Sequence, residues 1–463
     1  MGDTAQVFKA YDIRGLVGQE LDAQMCHAIG MAFARHTKAE RIVVARDMRE
    51  SGIELSQAFA LGARSQGCAV SDLGLASTDL LYFAAGHLDV PGAMFTASHN
   101  PAAYNGIKLC LSGARPVGQD SGLSEIRQIT ESILDEANSS GITFASGTTL
   151  DKQLASIDQV DLLGEWANHV RSFIDVGSLR PLKIVADTAN GMGGFVVPEV
   201  FKGLAFEVEI LFPELDGSFP NHPADPIQPE NLVYLKEAVL ASGADIGLAF
   251  DGDADRVFLI DEHAEVVSGS LTTALVAASM LDKHPGSTII YNLICSHVVR
   301  DVIEEHGGIG VRTRVGHSFI KELMSETGAI FGGEHSGHYY FRDNYRADSG
   351  IITALVVLEL MSLASVPLSE LLLPYKRYSN SGEINTTVSN PKLIMEMIEE
   401  RELKNGATID HLDGLTVEYE NWWYNLRSSN TEPLLRLNVE ADSTESCQAH
   451  RDEVLGMVNE FGR

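Results

Sequence analysis

The sequence predicts an α/β protein of several domains ending in a smaller α+β domain, and three observations carry that reading. Short β-branched runs alternate with longer amphipathic stretches over most of the chain, as in layered α/β units. At 463 residues the chain exceeds one hydrophobic core. From about residue 375 the pattern changes, with strand-like segments gathered around aromatic residues.

In chain order, Arg41–Ala45 reads as a strand, Ile53–Gln66 as a helix, and Ala69–Leu73 and Ala93–Thr96 as further strands. Lys183–Ala186, the Gly-rich turn Asn190–Gly194 and Phe206–Leu211 form a β-α-β unit. That turn lacks dinucleotide-binding spacing and marks a backbone bend. Thr288–Asn292 and Gly310–Arg314 continue the series as strands, and Ile351–Ala364 follows as a helix. In the last block Glu383–Val388, Leu415–Tyr419 and Leu434–Glu440 read as strands and Pro391–Arg401 as a helix. The expected domains are 1–155, 156–264, 265–374 and 375–463, with linkers near Ser146–Ile157, His263–Gly269 and Ser365–Tyr375.

A formal charge of −30, from 34 basic and 64 acidic residues, argues against nucleic-acid and anionic-membrane partners. Five scattered cysteines without metal spacing suit a reducing compartment. No basic-plus-apolar leader and no membrane-length apolar run is present, and Gln6 stands where a myristoylation signal needs Ser or Thr. The expectation is a cytoplasmic protein acting on small molecules.

The most informative segment is Phe250-Asp251-Gly252-Asp253-Ala254-Asp255-Arg256. Alternate positions of extended backbone share a face, so the three carboxylates are expected to converge from one strand face. Three such groups repel unless a hard divalent cation sits among them, and Mg²⁺ suits a site with few carboxylates and open positions. An EF-hand is excluded, because Arg256 occupies the position that needs Gly and both flanks read as strands.

Three further clusters carry polar chemistry. Ser98-His99 leaves a strand into turns marked by Asn100-Pro101 and Asn105-Gly106, with Lys108 close behind; taken alone, this cluster is better explained by an ordinary Asx-type turn. Gly333-Glu334-His335-Ser336-Gly337-His338 offers groups for sugar hydroxyls. Asn425-Leu426-Arg427-Ser428-Ser429-Asn430-Thr431-Glu432-Pro433 offers a guanidinium, hydroxyls and amides that can enclose a phosphate dianion despite the negative whole-chain field.

The order of these four motifs resembles the α-D-phosphohexomutase superfamily, and the likeness runs from Phe8–Gly15 to Arg436–Glu440. The resemblance implies four domains around a central cleft: three similar mixed α/β domains and a smaller C-terminal one related to the TATA-binding-protein fold. It implies that Ser98 carries a phosphoryl group, that Asp251, Asp253 and Asp255 hold Mg²⁺ against that phosphoserine, and that Glu334 and Ser336 bind sugar hydroxyls. Arg427, Ser429, Asn430 and Thr431 then hold the substrate phosphate, with Arg49 in a sugar-binding segment and Arg256 neutralising charge. Arg14, His99, Lys108 and His317 are the candidates for proton handling.

The resemblance further implies a hexose 1,6-bisphosphate intermediate, which also serves as activator. His335 and Asn430 stand where phosphoglucosamine mutases carry Gln and Gly, while His338–Asp343, Asn425–Pro433 and Asp216–Pro223 are most similar to the phosphomannomutase branch. Two departures stand out: Ile294 where dual-specificity relatives carry a substrate-binding Lys, and Met48 where Gly is common. The rival readings are a phosphoglucomutase, a dual-specificity enzyme, a metal-dependent sugar phosphatase and a non-catalytic sugar-phosphate binder. A monomer or weak homodimer is expected.

Overall fold

The computed structural model describes residues 3–141, 144, 157–428 and 434–462. Its contacts divide into two units: Met1–Ser268 with Lys321–Phe331 and Ser336–Leu371, and Gly269–Ile320 with Gly332–His335 and Leu372–Arg463.

In the first unit, β1 (Ile13–Leu16), β2 (Arg41–Arg46), β3 (Ala69–Leu75), β4 (Gly92–Phe95), β5 (Tyr104–Leu111), β6 (Arg115–Pro116) and β7 (Asp158–Gln159) build one sheet. Among the described residues its order is β1-β5-β4-β2-β3-β7, with β6 on the outer side of β5. β4, β2, β3 and β7 run parallel, while β5 is antiparallel to both neighbours. Phe33, Phe59 and Phe95 meet beneath the sheet, all fully buried; each such ring contributes roughly 1.5–3 kcal/mol through burial. The helix Thr78–His87 starts where the Ser77 side chain accepts the Leu80 amide, an N-cap that fixes its first turn.

The second sheet of this unit contains β8 (Lys183–Asp187), β9 (Glu207–Leu211), β10 (Ile246–Phe250), β11 (Val257–Asp261) and β12 (Val266–Val267), in the order β12-β11-β10-β8-β9. β10 and β11 form an antiparallel hairpin, with Phe250 opposite Val257. Every residue of both strands is buried, so continuous apolar runs rather than alternation are the expected pattern.

In the second unit, β13 (Thr288–Asn292) and β14 (Ile309–Thr313) pair in parallel. Along the chain Phe331–Gly333 (β15) precedes the Glu334–His338 loop, and Tyr339–Phe341 (β16), which belongs to the first unit, follows it. The C-terminal block is an antiparallel sheet of β17 (Ser379–Asn380), β18 (Ile384–Thr387), β19 (Thr408–Asp410), β20 (Leu415–Glu418), β21 (Trp422–Ser428) and β22 (Leu434–Ala441). The helices Pro391–Lys404 and Thr444–Phe461 contribute Ile394, Ile398, Val454 and Met457 to its core.

Several local expectations change. Two linkers carry structure: Val266–Val267 pairs as β12, and Leu368–Leu371 is a short helical turn. Gly193 opens a helix to Phe201, so the Gly-rich bend ends earlier than Gly194. Asn105-Gly106, read as a turn, lies inside β5. Most of the Ser146–Ile157 linker lies outside the described residues. Among those residues no single helix is long and apolar enough to cross a membrane; the pair Gly350–Ala364 and Leu368–Tyr375 qualifies only when joined across a 92° bend.

Candidate active site

Ser98 sits three residues beyond the end of β4, at φ +47°, a conformation that non-glycine residues adopt only when their surroundings enforce it. Its amide donates to Thr96 Oγ1 at 2.9 Å. Its hydroxyl donates to Asp251 Oδ2 at 2.7 Å and lies 3.2 Å from His99 Nδ1. Burial, then the guanidinium groups of Arg256 and Arg14, press the His99 pKa well below that of a free imidazole. The ring is therefore held neutral beside the hydroxyl.

Asp251, Asp253 and Asp255 are buried, and their ligand atoms lie within 4.8 Å of one another. They converge from a tight turn between β10 and β11, with Ala254 at φ +60°, rather than from one face of a strand. That corrects the expected geometry while keeping the cluster: the hairpin reversal folds the carboxylates inward.

The cluster has internal counter-charges. Lys108 Nζ, carried by β5, donates to Asp253 Oδ2 at 2.7 Å and Asp255 Oδ2 at 2.6 Å. Arg256 Nε donates to Asp251 Oδ2 at 2.9 Å. Burial still pushes the Asp251 carboxyl up to about 8, against the opposing pull of Arg256 and with repulsion from Asp255 and Asp253. Burial raises Asp255 as well, aided by Asp253. Burial also works against ionised Asp253, but the Lys108 ammonium and hydrogen bonds from Lys108 and Thr78 outweigh it and hold that carboxyl far below its usual range. Lys108 is held charged: burial opposes its ammonium, yet Asp253 and Asp255 outweigh that cost and raise its pKa. An ammonium so held neutralises charge within the cluster.

The donor set fits a hard divalent cation. One oxygen each of Asp253 and Asp255 is buried with no hydrogen-bond partner among the described residues, and the mutual repulsion that adds to burial in raising Asp251 and Asp255 is what a divalent cation would relieve. Asp251, Asp253, Asp255 and the oxygen on Ser98 are the groups that would hold it.

Arg49 departs from its expected role. It lies at 2% exposure, and all five guanidinium donors are engaged: one with Asp47 and four with carbonyls of the serine loop. No donor remains for a sugar. Arg14, on β1, bonds Asp12 and Asn100 of the serine loop. His317 begins the helix His317–Thr327, and its side chain lies outside the description.

Ser336 and His338 belong to the first unit, Glu334 to the second. Ser336 Oγ is 3.0 Å from His338 Nδ1. In the second unit Glu334 is buried, accepting from Asn292 at 3.3 Å and from the Gly316 amide at 3.2 Å. Arg427, near the end of β21, lies beside Glu383 at 3.4 Å and Asp413 at 3.6 Å, and its buried Nε has no hydrogen-bond partner among the described residues. Ser429, Asn430 and Thr431 lie outside the described residues.

Two participants escaped sequence reasoning. Thr78 donates to Asp253 Oδ2 at 2.5 Å, and its amide to the Asp253 carbonyl at 3.1 Å. His338 Nε2 comes within 3.7 Å of Asp255 Oδ1, and its backbone bridges Arg256. The only signal at Thr78 was a Ser-Thr-Asp helix start, which capping alone explains. His338 was visible as a motif residue without an assigned partner.

A strained, buried hydroxyl facing a carboxylate cluster fit for a divalent cation is the equipment of a phosphoryl-transfer enzyme. Models of all four domains of the phosphoglucomutase/phosphomannomutase family match this chain: alpha/beta/alpha domain I at 5–137, domain II at 164–265, domain III at 268–378 and the C-terminal domain at 383–457. The chain belongs to that family and has its four-domain fold. It is 40% identical over 449 residues to a phosphomannomutase of Vibrio cholerae, covering 94% of each chain. It is 37% identical to the phosphomannomutase of Escherichia coli K12, covering 98% of this chain and 99% of that one. Among solved structures, a phosphoglucomutase/phosphomannomutase family protein from Burkholderia thailandensis aligns at TM-score 0.85 and 32% identity, covering 100% of this chain and 98% of its own. A Thermus thermophilus structure at 23% identity and TM-score 0.82, with 98% of each chain covered, bears on the fold alone.

Proposed function

We propose that the protein is a phosphomannomutase, an isomerase that interconverts mannose 6-phosphate and mannose 1-phosphate. The observation that carries this reading is the Ser98 hydroxyl, 2.7 Å from Asp251 and 3.2 Å from His99, in a chain whose full-length relatives bear that name. In the active form Ser98 is phosphorylated. A free hydroxyl of the bound hexose phosphate attacks the phosphorus, the P–Oγ bond breaks, and a hexose 1,6-bisphosphate forms. The sugar hydroxyl's proton passes to a nearby base, for which His99 and His338 are placed. After the intermediate turns over, its other phosphate returns to Ser98 and the P–O bond to the sugar breaks.

Mg²⁺, held by Asp251, Asp253 and Asp255, would supply charge neutralisation at the transferred group. Arg256 and Lys108 supply fixed positive charge of their own. Glu334 and Ser336 are assigned to sugar hydroxyls, and Arg427, Ser429, Asn430 and Thr431 to the phosphate that is not being transferred. Free bisphosphate restores phosphoserine when it is lost. The acidic surface and the relatives' substrates favour a cytoplasmic setting without nucleic-acid or membrane partners.

The test is isomerisation of mannose 1-phosphate and glucose 1-phosphate side by side, with Mg²⁺ and a trace of hexose 1,6-bisphosphate. A kcat/KM favouring mannose by about tenfold, or about 1.4 kcal/mol, is the expected result. Equal values would make it a dual-specificity enzyme despite Ile294, and absence of both activities would overturn the proposal.

A further inference from the structure

We infer that Arg49 is a positioning residue for the phosphoryl-carrying serine, locked in place by the Gly217–Phe219 turn. The inference deepens the mutase reading and rests on it for its catalytic consequence. Four backbone carbonyls of one loop converge on a single guanidinium. Nη2 donates to Ser98 O at 2.9 Å and Asn100 O at 2.6 Å, and Nη1 to Pro101 O and Tyr104 O at 2.9 Å each. Nε donates to Asp47 Oδ2 at 3.2 Å, while the Arg49 amide binds Asp47 Oδ1 at 2.9 Å. Asp47 therefore fixes the fork, and the fork fixes the loop.

Buried carbonyls need donors. Only a planar guanidinium carries five in one rigid geometry, and an ammonium cannot reproduce it. The loop so held contains Ser98 at φ +47°, whose Oγ must keep its place against Asp251 and His99. The cover comes from the segment Asp216–Pro223, which the catalytic account leaves unused. The Phe219 ring lies over the guanidinium with its centroid 5.1 Å from Cζ. At Gly217 a Cβ would sit 2.8 Å from Arg49 Cα, so only glycine allows this approach. Asp216 and Asn221 tie the segment to Asn190, in the turn that follows β8. The serine loop is thus seated from the domain that also supplies the carboxylate cluster.

The experiment compares wild type, Arg49→Lys and Phe219→Ala as full-length proteins, with Mg²⁺, bisphosphate and mannose 1-phosphate. For Arg49→Lys the expected results are a kcat lower by about 100-fold, from misplacement of the nucleophile, and a KM within about threefold of wild type. Inorganic phosphate released per turnover should rise, because water then competes for a mispositioned phosphoserine. Backbone hydrogen exchange at Asn100 and Tyr104 should accelerate by about tenfold or more as the loop loses its anchor.

A raised KM with unchanged kcat would overturn the inference and restore a substrate-binding role. Wild-type exchange rates in Arg49→Lys would also overturn it, whatever reaction the protein catalyses. If wild type itself fails to isomerise, the mutase reading falls, while the exchange measurement still decides the positioning role. Should Arg49→Lys not fold, Phe219→Ala carries the decision: faster loop exchange and lower kcat support the inference, and wild-type values for both defeat it.

Discussion

The Ser98 hydroxyl and the Asp251 carboxylate meet at 2.7 Å although 153 positions separate them in the chain. One comes from the strained loop that follows a parallel strand, the other from the turn of a buried hairpin. Neither segment alone makes a site.

Ser98→Ala removes the phosphoryl carrier. Turnover should fall by roughly four orders of magnitude or more, with the thermal transition unchanged within a degree or two. Intact-mass measurement after incubation with bisphosphate should show the phosphate adduct in wild type only. An adduct on the variant would sink the assignment.

Lys108→Gln leaves Asp253 and Asp255 buried without their ammonium. Loss of one partner from such a cluster costs about 3–5 kcal/mol, so the metal-free variant should melt well below wild type. Mg²⁺ should recover more of the melting temperature in the variant than in wild type, because the cation meets the charge that Lys108 no longer balances. Equal Mg²⁺ shifts in the two proteins would count against this.

Gly252→Ala places a methyl 2.4 Å from the Ser98 carbonyl oxygen. The serine loop must then shift, and kcat should drop by about tenfold or more, since small displacements of reacting groups are costly. Crystallography or loop hydrogen exchange on the variant locates the shift; a wild-type kcat would show that the loop tolerates it.

His297 gives a pH signature in the second unit. Burial, then Arg300, lowers its pKa to about 4 from 6.5, as it stacks on Trp423 at 5.2 Å. Between those values the unfolded chain binds a proton that the folded one refuses, so stability should fall as pH drops from 6.5 towards 4. His297→Gln should flatten that part of the melting-temperature profile. An unaltered slope would assign the effect to other groups.

Much of this site was legible in the sequence where chemistry is local. The acidic triplet, the strand Val257–Asp261 and the serine loop declare themselves through residue type and spacing. What stayed hidden depends on tertiary partners. Asn105-Gly106 carries a turn signal, yet pairing with Arg14 and Gly15 of β1 draws it into β5. Arg49 resembles a ligand-binding arginine because its carbonyl partners lie 49 to 55 positions away. Lys108 gave no sequence signal of the two carboxylates on its ammonium.

The hairpin that completes the Ser98 environment is made late. At a synthesis rate of about 5–20 residues per second, the 153 positions that separate Ser98 from Asp251 correspond to roughly 8–30 seconds on the ribosome. During that interval the nascent chain carries a serine with no carboxylate opposite it and no metal cluster. Reactivity therefore arrives only with the second domain, so a fragment released early should be chemically inert towards sugar phosphates.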